Sequence, residues 1–201
     1  MTKYYKLNYA VVKIYDDPFV LLKGLTSNDL DANKNAFLDR FGKIVIAFYQ
    51  VKYLDHVLII FNSKYYDKLI EHLDKFLKLT RVKLERIDYE VYYELDKECP
   101  CNDNEIVLKQ EKGNIIVTKN QYESISDDEF NEFRLKNNIP LFGVDFTNEM
   151  ILNVSEDYVS YEKGCYLGQE VVARVHYKSK PPKKLVVKEI DGKNEFIFVK
   201  T

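Results

Sequence analysis

The chain has 201 residues, of which 46% are hydrophobic and 31% charged, with seven Gly, five Pro and a net charge of −2. That balance suits one or two globular domains and excludes collagen-like, linker-like or extended disordered material. It lacks the strong positive charge of a dedicated nucleic-acid binder, and its three cysteines are too few for a disulfide framework.

Lys6 to Tyr15 alternates apolar and polar residues and predicts a strand, ended by Asp16-Asp17-Pro18. A short apolar run, Phe19 to Leu22, follows. Thr26-Ser27-Asn28-Asp29 supplies cap residues for a short helix ending near Asn35. Ala36-Phe37-Leu38 and Lys43 to Val51 read as strands around the turn Asp39-Arg40-Phe41-Gly42, and His56 to Phe61 as another strand. Asn62 or Ser63 can cap a helix to about Lys78, whose apolar residues recur at helical spacing. Val82 to Leu95 keeps a period of two. Glu105 to Leu108 and Asn114 to Thr118 flank a Lys112-Gly113-Asn114 turn. Ser126 with Glu129 forms a capping box for a helix to about Asn137, stopped by Asn138-Ile139-Pro140. Val144 to Val154 has no clean period, and Glu170 to Tyr177 fits a strand or a short helix. Past Pro181-Pro182, Leu185 to Ile190 and Glu195 to Val199 flank Asp191-Gly192, a strong hairpin signal. The whole reads as α+β, with strands outnumbering helices.

No stretch approaches the roughly 18 apolar residues of a membrane span, nor does the start hold a signal-peptide core of about 7. A cytoplasmic location without membrane contact is the default expectation. The segment richest in chemistry is Lys163-Gly164-Cys165-Tyr166-Leu167-Gly168-Gln169-Glu170. It sets a cysteine between two glycines, with an ammonium two residues away that could stabilise a thiolate. A buried, inert cysteine beside a glycine turn is the competing reading. Cys99-Pro100-Cys101 has spacing for a soft metal but no second pair, and His56, His72 and His176 lack ligand spacing, so no metal site is expected. The basic stretch Lys178, Lys180, Lys183, Lys184 and Lys188 could meet a polyanion or simply be solvated.

Lys163 to Glu170, followed by Val172-Ala173-Arg174, resembles the signature of the YgfZ family. These are folate-binding proteins related to the T-protein, the aminomethyltransferase of the glycine cleavage system. Three further stretches resemble family blocks in order: Leu22 to Asp29, Ala36 to Ile44, and Pro140 to Asp145 with Glu149. The resemblance spans about residues 7 to 188. It implies two interleaved α+β subdomains with antiparallel sheets around a folate cleft, over residues 1–180 with a division near 45–120. Residues 181–201 would then be a hairpin remnant of a C-terminal β-barrel. It implies tetrahydrofolate or a derivative as cofactor, and a part in iron–sulfur cluster assembly or repair that indirectly supports tRNA modification. Its partners would be assembly or client proteins, with no direct nucleic-acid contact. Carried over position by position, Cys165 would be the working thiol tuned by Lys163. Asn28, Asp29, Tyr166, Gln169, Glu170 and Arg174 would lie at the folate. The T-protein carries a catalytic aspartate a few residues past the hairpin glycine, whereas Lys43 to Phe48 holds no carboxylate. The alternatives are therefore a folate-dependent aminomethyltransferase-type enzyme, disfavoured by that absence, and a non-catalytic folate-sensing or RNA-associated module.

Overall fold

A computed structural model describes residues 2–96 and 104–201. Its strands are β1 (Tyr4–Leu7), β2 (Tyr9–Tyr15), β3 (Lys34–Leu38), β4 (Ile44–Lys52), β5 (His56–Asn62), β6 (Lys83–Ile87), β7 (Glu90–Glu94), β8 (Ile106–Lys109), β9 (Asn114–Thr118), β10 (Lys183–Ile190) and β11 (Lys193–Lys200). Its helices are α1 (Pro18–Leu25), α2 (Tyr66–Leu77), α3 (Asp127–Lys136), α4 (Ile151–Val154) and α5 (Gln169–Lys178). The fold is α+β, as expected.

A five-stranded sheet in the order β3-β4-β5-β2-β6 lies against a four-stranded sheet in the order β1-β7-β9-β8, and every strand pair is antiparallel. Alternation along the strands decides which core each side chain enters. Val57, Ile59 and Phe61 of β5 face Leu69 and Leu73 of α2 and Leu22 and Leu25 of α1. Leu58 and Ile60 face the second sheet, meeting Val91, Tyr93, Ile115 and Val117. A sheet covered on both faces reads as a continuous apolar run, which is what His56–Asn62 shows.

Two expected strands each prove to be two. Lys6 to Tyr15 breaks at Asn8, and Val82 to Leu95 breaks at Asp88-Tyr89, so each run leaves one sheet and enters the other. These crossings tie the sheets together. The helix expected from Thr26 to Asn35 is absent. The helix lies one element earlier, as α1, with Pro18 in its first turn. Thr26 ends it, its amide and its hydroxyl both donating to Leu22 O. Asn62 caps the turn leading into α2 by accepting from Lys64 N. Ser126 Oγ accepts from Glu129 N as the capping box requires. Glu170 to Tyr177 is helical, within α5, and β10–β11 forms the hairpin turning at Asp191-Gly192, both with positive φ.

Candidate functional site

The segments that carry the sequence resemblance are far apart in the chain and meet in the fold. Leu167 N donates to Gly24 O at 3.1 Å, docking the signature loop on the end of α1. Gly168 (φ +86) lies so close to the β3–β4 turn that a Cβ there would be 2.4 Å from Asp39 O. Ile44 N donates to Glu149 O and Ile151 N to Gly42 O, fastening the same turn to the segment that precedes the signature.

Lys163 is the strongest clamp. Its ammonium donates to Thr26 O, to Thr26 Oγ1 at 3.3 Å and to Asn28 O at 3.1 Å, and lies 5.1 Å from the Tyr166 ring centroid. Burial pushes this ammonium down to about 8, with Asp29 opposing the shift and Lys23 adding to it. Its three acceptors lie on the Thr26–Asn28 segment, so it ties the signature loop to that segment. Cys165, two residues on, is exposed and makes no disulfide among the described residues. Tyr166 is buried beside it, and Gln169 N, donating to Tyr166 O, begins α5.

Asn28 also serves the loop. Its Nδ2 donates to Lys34 O and Asp157 O, its Oδ1 accepts from Asp29 N, and its own N–H donates to Asn35 Oδ1. Asn35 and Gln50 complete this buried network, Gln50 Nε2 donating to the carbonyls of Asp29 and Ala32. Such a network replaces the helix expected here, because each polar side chain satisfies the irregular backbone locally. Asp29 is exposed at its edge, and Glu170 and Arg174 are exposed on α5. Thus Lys163, Asn28 and Tyr166 are gathered at the loop junction, while Glu170 and Arg174 face outward. Cys99 and Cys101 lie outside the described residues.

Next to this junction a cavity of about 180 Å³ lies between the two sheets, the β8–β9 turn and the loops at residues 137–140 and 154–158, lined in part by Lys34, Tyr49, Tyr93, Lys112, Asp157 and Tyr158. Burial pushes the Tyr49 phenol up to about 12 and raises that of Tyr158 well above its ordinary value. Neither hydroxyl has a hydrogen bond among the described residues, so both can serve a guest. The Tyr93 hydroxyl donates to Lys112 O. Lys34 pairs with Asp157 at 3.0 Å and stands 6.0 Å from the Tyr158 ring centroid. The cavity is below the roughly 300–1,000 Å³ of ordinary ligand pockets and fits a single ring system rather than a long ligand. Sequence reasoning missed Tyr49, Tyr158, Asn35 and Gln50. The tyrosines fall on a largely apolar strand and in a stretch without period, and no local signal marks them.

No family model matches the sequence. The architecture is that of glycine cleavage system aminomethyltransferases. The chain resembles the crystal structure of aminomethyltransferase T from Bartonella henselae with a TM-score of 0.74, at 10% identity, over 92% of this chain and 66% of that one. In sequence it is similar to the mitochondrial iron-sulfur cluster assembly factor IBA57 of Mus musculus, with 30% identity over 91 residues, 43% of this chain. The chain spans a quarter of that factor's length (25%) and just under two thirds of the transferase's.

Proposed function

We propose that this protein is a folate-binding accessory factor of the YgfZ type for iron–sulfur cluster assembly or repair. One observation carries the reading: the converging segments present Cys165 as an exposed thiol on a clamped loop, while residues 44–48, where a transferase carboxylate would lie, are apolar. Ile44, Ile46, Ala47 and Phe48 are all buried in the first core. An ionised carboxylate among them would be desolvated without a partner, so the aminomethyltransferase reading is not supported. Similarity to a cluster assembly factor supports the accessory role.

The cavity fits the ring end of a reduced folate. Tyr49 and Tyr158 would offer free hydroxyls to its polar edge, and Lys34 and Lys112 would meet the anionic end outside. A bound folate would supply one-carbon or redox-active pterin chemistry. The protein's own part is to hold the ring, exclude water from it and keep the thiol at the surface. Calorimetric titration with reduced folates tests the reading. Micromolar binding is expected, weakened by Tyr49→Phe with Tyr158→Phe and retained in Cys165→Ser. Absence of binding to the wild type would overturn the folate assignment.

A further inference from the structure

The outer side of α5 combines charge and exposed rings in a way the folate reading does not use. Glu170, Arg174, Tyr177 and Lys178 recur at helical spacing on one exposed face, opposite buried Val172. The β3–β4 turn packs beside the first turn of this helix, where a Cβ on Gly42 would lie 3.2 Å from Val172 and 3.5 Å from Val171. The tip of that turn is Arg40-Phe41, with the guanidinium 4.7 Å from the ring centroid. Phe41 is 55% exposed and Tyr177 69%. Lys180 and Lys184 follow the helix in the chain, both exposed.

The charge is concentrated. Residues 163–184 hold six basic residues and one acidic residue in a chain whose net charge is −2. Within them Lys183 is taken up by Glu149. Arg40, Arg174, Lys178, Lys180 and Lys184 have no ion pair among the described residues. The nearby Asp39 carboxylate is engaged by the amides of Phe41 and Lys43 in its own turn, and Glu156 lies 3.6 Å from His176.

We propose that the Arg40-Phe41 tip, the outer face of α5 and the Lys180–Lys184 segment dock an acidic protein surface. The partner would carry carboxylates around an apolar patch. Unpaired cations select an anionic partner and steer its approach. Two exposed rings add apolar contact that a phosphate backbone does not return. Glu170 within the face, and a guanidinium already covering Phe41, disfavour nucleic acid. The purpose of this docking rests on the accessory-factor reading, whereas the docking itself is measured independently.

The test uses the full chain and a labelled synthetic amphipathic peptide of about twenty residues, with glutamates on one face and leucine and phenylalanine on the other. Fluorescence anisotropy compares it with a single-stranded RNA of similar length. The peptide should bind at low salt, weaken about 10-fold or more in Arg40→Glu with Lys178→Glu, and weaken further as salt rises. Phe41→Ala with Tyr177→Ala should weaken it several-fold without lowering the melting temperature. Equal binding by the charge-reversed protein, tighter binding of the RNA, or no peptide binding would each overturn the proposal. Folate titration of the same proteins separates the two readings: peptide binding without folate binding refutes only the folate function, and the converse refutes only the docking face.

Discussion

Gly168→Ala probes the contact on which the site geometry depends. Gly168 has φ +86, and a methyl there would lie 2.4 Å from Asp39 O and 3.2 Å from Gly42 N, both backbone atoms that cannot rotate away. Left-handed backbone in an L-residue costs about 1–2 kcal/mol. Forcing two packed backbones apart costs about 1–3 kcal/mol more. The expected loss is thus about 2–5 kcal/mol, or roughly 4–20 °C in melting temperature at about 2–4 °C per kcal/mol for a chain of this size. Gly164→Ala is the control, because nothing lies within 4 Å of its added Cβ and its φ is not positive. It should change stability by no more than about 0.5 kcal/mol. Urea and thermal unfolding measure the global effect. Iodoacetamide labelling of the Cys165 peptide, followed by mass spectrometry, measures whether the loop lifts off instead. If Gly168→Ala matches Gly164→Ala in both stability and labelling rate, the loop does not dock on the β3–β4 turn as described.

Three further outcomes are expected. Asp145→Ala should cost about 3–5 kcal/mol in urea unfolding, because it strands the Arg134 guanidinium in a nearly buried pair; a loss below about 1 kcal/mol would show that water reaches the pair. Lys163→Met should expose the clamp's pH dependence. The folded ammonium titrates near 8 against an ordinary 10.5, so above pH 8 the unfolded chain binds the extra proton, and wild-type stability relative to the variant should rise up to about 10.5. A flat difference across that window in parallel melts would refute the buried clamp. Asn28→Ala removes two donated bonds to backbone carbonyls and should cost about 1–3 kcal/mol by denaturant unfolding, with faster Cys165 labelling as the loop loosens.

Much of the fold was legible because local chemistry and tertiary demand agree. The helical spacing from Tyr66 to Leu77, the Ser126 capping box and the Asp191-Gly192 turn each state their structure within a few residues. The two sheet crossings were not legible, because alternation passes through Asn8 and Asp88-Tyr89 without changing its period. Thr26-Ser27-Asn28-Asp29 misled for a different reason. Hydroxyls and amides that can open a helix can equally close one or brace a loop, and here Thr26 bonds back to Leu22 while Asn28 bonds across to Asp157. The signature loop was conspicuous in sequence, yet the ammonium's partners were not, since Thr26 and Asn28 lie more than 130 residues away.

The proposed function rests on how polar and apolar groups are divided between surface and interior. Ile44, Ile46, Ala47 and Phe48 of β4 enter a close-packed apolar core, and the cavity is lined by the phenols Tyr49, Tyr93 and Tyr158. The Cys165 thiol lies outside, on a loop whose Lys163 ammonium is engaged by backbone carbonyls. On the proposed reading the scaffold would keep a ligand chamber while its chemistry moves to the surface, since function follows the site rather than the fold. An exposed thiol beside a basic, ring-bearing helix face is accessible to a macromolecule. The enclosed space admits little more than one ring system. Under the proposed function, that division would leave recognition of a small cofactor to the interior and the encounter with a protein partner to α5.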